Sequence, residues 1–176
     1  MEVRHHLPPG PVTVFLALGS NLGDRKANLE KALQLLGERL SLERLSSLYE
    51  SEPVGLEEQP LFLNAVCRVK TEVGPFQLLS LLKGVEVALG RVPGFPNAPR
   101  LIDVDILFYG NLAIETDRLV IPHPRLEERA FVLIPLAEIA PGLIHPVSGE
   151  SIADLAVRVE GREGVRKIGK LRVKDV

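Results

Sequence analysis

The spacing of apolar residues switches repeatedly between strand-like and helix-like periods along the first 110 residues, and this order limits the fold more than any single motif. VTVFLAL (residues 12–18) is a β-rich run that reads as a buried strand, and the turn-rich GSNLGD stops it. In RKANLEKALQLLGERL (25–40), Leu29, Ala32, Leu33, Leu36 and Leu40 recur at helical spacing. SLERLSSLYES (41–51) reads as one extended segment, EPVGLEEQP as a proline-fenced loop, and LFLNAVCRVKTEV (61–73) as a further strand. GPFQLLSLLKGVEVALG is a second helix, with Pro75 at its start and Gly90 just past its end. The loop RVPGFPNAPR then leads into the strand RLIDVDILFYG (100–110). The order β-α-β-β-α-β predicts an α+β, ferredoxin-like sandwich with two helices on one face of an antiparallel sheet. The remainder of the chain reads as a C-terminal elaboration: a hairpin around GNLAIETDRLVIP, a loop and helix in HPRLEERAFVLIPLAEIAP, and a short helix over 151–159. With 176 residues and no repeat or low-complexity linker, residues 1–176 are expected to form a single domain. Residues 1–11 read as an irregular lead-in and 161–176 as a basic tail.

The strand 100–110 contains an anomaly. Alternation puts Ile102, Val104, Ile106 and Phe108 on one face and Leu101, Asp103, Asp105 and Leu107 on the other. Two carboxylates two positions apart repel, and one gains a proton unless a cation intervenes. A divalent ion such as Mg²⁺ resolves the repulsion, because it takes carboxylate oxygens and keeps positions open for water or phosphate. The other reading is an exposed edge strand whose acids sit in water or pair with arginines. Arg91 and Arg100 bracket the loop just before the acids, and guanidinium forks match phosphate oxygens. Arg118, His123, Arg125 and Arg129 follow within twelve residues. Glu86 shares an apolar helical arc with Phe76, Leu79, Leu82 and Leu89; it either reaches out at the edge or makes a polar contact to a ligand or a loop arginine. GSNLGD has neither the GxGxxG spacing nor a GK[ST] ending, so it reads as a structural turn, and an ATP user here would not be a P-loop protein.

A net charge of −2 and 5% aromatic residues argue against a nucleic-acid surface. Arg162, Arg166, Lys167, Lys170, Arg172 and Lys174 read as a solvated tail or a local anion or partner contact. Cys67 is alone, which excludes an intramolecular disulfide and a cysteine metal cluster, and it reads as a small buried hydrophobe. No apolar run approaches the roughly 18 residues of a membrane span. The first twelve residues lack the apolar core of a signal peptide, so a cytoplasmic protein without membrane or nucleic-acid partners is expected.

LALGSNLGD, SSLYESEPVG, QPLFLNA, RLIDVDILFYG and IPHPRLEERAFVLIPLAEIAP, in this order from about residue 12 to 159, together resemble the 6-hydroxymethyl-7,8-dihydropterin pyrophosphokinases of folate biosynthesis. The resemblance implies the ferredoxin-like fold and transfer of pyrophosphate from ATP to the hydroxymethyl group of a reduced pterin, leaving AMP. It implies that Asp103 and Asp105 hold two Mg²⁺ ions and act with Arg91 and Arg100 in catalysis. It also implies that Phe62 and Phe131 sandwich the pterin, with Asn64 and the backbone from Ser51 to Val54 at its polar edge. Arg100, Arg118, Arg129 and His123 would contact ATP, Arg91 would swing in from its loop, and Glu86 would stand beside the nucleotide. The implied partners are ATP and the pterin, and a monomer is expected, with oligomers left open. One departure is clear. Relatives carry Trp-Gly before the Pro-Arg that ends the lid, whereas this chain has Asn97 and Ala98 and no tryptophan at all, leaving Phe95 as the loop's apolar plug. The alternatives are another Mg²⁺-dependent phosphoryl or nucleotidyl transferase, or a non-catalytic ferredoxin-like module that binds a ligand.

Overall fold

The computed structural model describes residues 9–54, 58–92, 94–96 and 98–174, so most of the expected lead-in and the lid positions Pro93 and Asn97 lie outside the described residues. Strand β1 (Val12–Ser20) runs into α1 (Arg25–Gly37), whose first turn is capped by Asp24 accepting from the Ala27 N–H at 3.1 Å. The helix stops at Gly37 instead of reaching Leu40. There the Leu36 carbonyl accepts from the N–H groups of Arg39 and Leu40 at 3.0 and 2.8 Å, a tight turn that still lays Leu40 in the core.

The single extended segment expected over 41–51 is two strands, β2 (Ser41–Leu45) and β3 (Leu48–Ser51), both antiparallel to β4 (Phe62–Thr71). The break is held by side chains. Ser46 Oγ accepts from the Val66 N–H at 2.9 Å, and Glu138 takes both the N–H and the hydroxyl of Ser47. Helix α2 (Pro75–Ala88) starts on its proline and gives way to Gly90, whose φ of +93° suits glycine. Strand β5 (Asp103–Tyr109) completes the predicted series. A small ribbon of β6 (Ile114–Glu115) and β7 (Val120–Ile121) is the expected hairpin. Helices α3 (Ala130–Ile139) and α4 (Ile152–Arg158) follow.

The main sheet has the antiparallel order β5-β1-β4-β3, with β2 also on β4, as a ferredoxin-like series requires, and a last strand, β8 (Val165–Gly169), is added beside β3. Leucines of α1 and α2 fill the first face, and α3 and α4 cover the second. Among the described residues, no helix is long and apolar enough to cross a membrane.

Two further expectations need correction. The basic tail is not free: β8 (Val165–Gly169) pairs with β3, Arg166 reaches Glu50 at 2.7 Å, Lys167 reaches Glu138 at 3.1 Å, and Leu171 is buried. Its charges are the solvent side of an edge strand, where they also discourage unwanted pairing. Nor does Phe108 share a face with Ile106. A bulge pairs Phe15 with Phe108 but Leu16 with Ile106, so the alternation inverts after Leu107. Phe108 therefore packs on the second face, edge-on to Phe15 at 6.5 Å, while Tyr109 takes the first. Asp103 and Asp105 precede the bulge and stay on the second face, under α3.

Cys67 lies fully buried in β4, and burial pushes its thiol up to about 12. It should resist a thiol-specific reagent in native protein and label stoichiometrically in denaturant; rapid native labelling would contradict this packing.

Candidate active site

On the second face, past Phe15, β1 offers Ala17 beside Asp105 and Gly19 between Asp103 and Asn64. A Cβ on Gly19 would stand 3.4 Å from Asn64 Oδ1 and 3.6 Å from the Phe62 ring, so the absent side chain is what keeps the sheet floor open. Above that floor is a cavity of about 440 Å³, within the usual range for small-molecule sites. The acids of β5 form one wall, and Ser51, Phe62 and Asn64 the other. Arg129 and Phe131 enter from the start of α3, and His123 from the loop after β7.

Most of the residues singled out in the sequence thus meet in one place: Arg91, Arg100, Val54 and the groups just named all line the cavity. Two predicted residues stand apart. Arg118 lies outside the lining, its guanidinium 5.8 Å over the Phe76 ring. Glu86 is 3% exposed and turned away from the cavity; it accepts the Val104 N–H at 2.9 Å and pairs with Arg91 at 2.9 Å. Of its two readings, the loop-arginine contact is the one observed.

Lys83 and Asn21 went unnoticed in the sequence. Lys83 lines the cavity and lies 3.4 Å from Glu86, three residues on, a helical pairing that could have flagged it. Asn21, in the supposedly structural GSNLGD turn, is 1% exposed. Its Nδ2 donates to Gln59 Oε1 (2.9 Å) and the Pro60 carbonyl (3.2 Å), and its Oδ1 accepts the Arg100 N–H (2.8 Å).

The electrostatics divide the cavity. Asp103 accepts from Arg91 Nη1 at 2.9 Å on Oδ1 and from Arg100 Nη1 at 3.4 Å on Oδ2. Asp105 is pushed up to about 6, first by burial and then by the charge of Asp103, against the pull of Lys83 and Arg129. The surrounding cations therefore do not offset burial and repulsion at Asp105. His123 is held down at about 4, first by burial and then by Arg129, and is neutral at pH 7. Its Nδ1 accepts the Arg125 N–H at 3.2 Å, which leaves the proton on Nε2 as a donor. Arg100 Nε is buried with no hydrogen-bond partner among the described residues, an unspent donor. Arg100 also lies 5.4 Å over the Phe62 ring, and Arg129 5.6 Å over Phe131.

Two carboxylates are the hard oxygen donors that Mg²⁺ takes, and the disfavoured charge on Asp105 fits an added cation. No group of three or more His, Cys, Asp or Glu suited to a metal exists among the described residues, so an ion here would complete its shell with water and phosphate. The site can therefore hold a metal-bound polyanion next to a flat ring.

Residues 15–141 match the family model for 7,8-dihydro-6-hydroxymethylpterin-pyrophosphokinase (HPPK). The chain is 47% identical over 135 residues to the 2-amino-4-hydroxy-6-hydroxymethyldihydropteridine pyrophosphokinase of Aquifex aeolicus, covering 77% of this chain and 84% of that one. It is also 47% identical over 133 residues to a folic acid synthesis protein of Dictyostelium discoideum, covering 76% of this chain but spanning only 20% of that protein's length. The wild-type HPPK-DHPS of Plasmodium falciparum, solved with pterin and p-hydroxybenzoate, shares the fold with a TM-score of 0.72 at 19% identity, over 93% of this chain and 46% of that one.

Because ionised Asp105 is the disfavoured form, its contribution to stability is present below pH 4 and is lost as pH rises through 6. Denaturant titrations of metal-free protein should show this loss, at most about 3 kcal/mol, and Asp105→Asn should flatten it. Parallel pH profiles for the two proteins would rule out the buried, repelled carboxylate.

Proposed function

This chain belongs to the 7,8-dihydro-6-hydroxymethylpterin-pyrophosphokinase family, and on that premise we propose that it transfers pyrophosphate from ATP to 6-hydroxymethyl-7,8-dihydropterin in folate biosynthesis. The observation that carries the reading is the meeting of an aspartate pair, four arginines and two aromatic faces in one cavity. Phe62 and Phe131 bracket the pterin ring, giving it apolar contact on both faces. Asn64 donates its Nδ2 to Ser51 Oγ at 2.7 Å, which fixes the amide and turns Oδ1 to the amino and N–H donors of the ring edge. Ser51 and Val54 flank that edge.

In the reaction, the substrate hydroxyl oxygen attacks the β-phosphorus of ATP, the bond from that phosphorus to the α–β bridging oxygen breaks, AMP leaves, and the hydroxyl proton is released to water. Negative charge spreads over the phosphate oxygens, so positioned cations and donors supply most of the catalysis. Arg91, Arg100 and Arg129 are those cations, and neutral His123 adds an Nε2–H donor. Asp103 and Asp105 hold Mg²⁺, which we take to be two ions, and Mg²⁺ when bound supplies charge neutralisation on the triphosphate. Arg118, on the α2 side, is left to the nucleoside end of ATP, and Glu86 acts by fixing Arg91. A monomer in the cytosol, where a lone Cys67 stays a thiol, is part of the same proposal.

Incubation with Mg-ATP and the hydroxymethyl pterin should yield AMP; ADP, or turnover independent of pterin, would sink the assignment and favour another phosphoryl transferase. Asp103→Ala and Asp105→Ala should each lower turnover by orders of magnitude in folded protein, and near-native rates in either would exclude its role. Phe131→Ala should weaken pterin binding about tenfold with little change for ATP, on the scale of one lost stacking face. Equal losses for both ligands would exclude the sandwich.

A further inference from the structure

Asp103, proposed above as a metal ligand, has a guanidinium on each carboxylate oxygen. Arg91 holds Oδ1 at 2.9 Å and Arg100 holds Oδ2 at 3.4 Å. Arg91 is anchored from behind by Glu86, also at 2.9 Å, and Glu86 is itself fastened to the Val104 N–H of the same strand. The two arginines are the two ends of the loop 91–100. A bare divalent cation approaching Asp103 must break two charge-assisted hydrogen bonds and meet two like charges within a few ångströms. A polyphosphate changes that balance, because its oxygens accept what the guanidiniums must give up. The buried, unspent Arg100 Nε is a donor already waiting for such an acceptor.

We propose that Arg91 and Arg100 are internal counter-cations that set which form of the metal this site accepts. They close Asp103 to a free divalent ion and release it to an ion that arrives on a polyphosphate, whose oxygens take over both guanidiniums. Metal capture at Asp103 and release of both ends of the loop are then a single event. The inference rests on the reading of Asp103 and Asp105 as metal ligands.

The test measures Mn²⁺ binding without nucleotide, by the electron paramagnetic resonance of free Mn²⁺, on wild type, Arg91→Met and Arg100→Met, with circular dichroism to confirm folding. Each arginine variant should bind Mn²⁺ about tenfold more tightly than wild type, and adding Asp103→Asn should abolish the gain. Should Arg91→Met fold poorly because Glu86 loses its partner, Arg91→Met with Glu86→Gln keeps the local charge balanced and asks the same question. Unchanged or weaker Mn²⁺ binding in the folded arginine variants overturns the proposal. A parallel titration with Mn²⁺ and the non-cleavable α,β-methylene analogue of ATP separates the two levels. If Asp103→Asn leaves that binding intact, the metal reading itself fails; if it abolishes it while the arginine variants show no gain, only the counter-cation role fails.

Discussion

The side chain of Asn21 is buried in the turn after β1 and bonded at both ends, to the loop before β4 through Gln59 and Pro60 and to the start of the β5 segment through Arg100. Its backbone N–H adds a further bond to the Arg100 carbonyl at 3.1 Å. These contacts tie three stretches of chain that are far apart in sequence to one point at the rim of the cavity. Phe62 and Asn64 take their position from one of them, Arg100 and Asp103 from another, and Gly19 from the third. Leaving a buried amide unpaired costs about 1–3 kcal/mol per lost partner, so the geometry of both walls is held by an interaction with no apolar substitute.

A chain of alternating charge depends on that geometry. Lys83, Glu86, Arg91, Asp103 and Arg100 follow one another at ion-pair distances, joining α2, both ends of the loop 91–100 and β5. Burying Glu86 alone would cost several kcal/mol, and the Arg91 pair together with the Val104 N–H offsets this. The helix, loop and strand thus form one electrostatic unit, and a change of charge at any member is felt by the others.

Much of this was readable from residue types. The element order followed from apolar periods, because α1 and α2 bury one stripe and the strands one face. The aspartates stood out because two carboxylates on one face of an apolar strand repel, and the arginine pairing foreseen for an edge strand is found at Asp103; Glu86 stood out because it broke an apolar arc. What escaped the sequence depends on distant partners. The split between β2 and β3 needs Glu138, some 91 residues away from Ser47. The bulge in β1 and β5 adds one residue without any change of composition, so Phe108 was assigned to the wrong face. The basic residues of β8 look like a solvated tail because an edge strand presents solvent with the same chemistry. Asn21 looked like turn punctuation because glycine, serine and asparagine are ordinary turn formers.

The cations of the cavity are held by partners of modest strength. Arg100 rests on Phe62 and Asp103, Arg129 on Phe131, and Arg91 on Asp103 and Glu86. A cation–π contact is worth about 0.5–2 kcal/mol, and a half-exposed ion pair no more than about that. Each of these bonds orders a long side chain, so less rotamer entropy remains to be lost when the guanidinium moves to a phosphate. The same bonds cover the two aromatic faces and Asp103 with positive charge. Arg100 is shared between the Phe62 face and Asp103, so the aromatic wall and the acidic wall of the cavity are joined through one side chain.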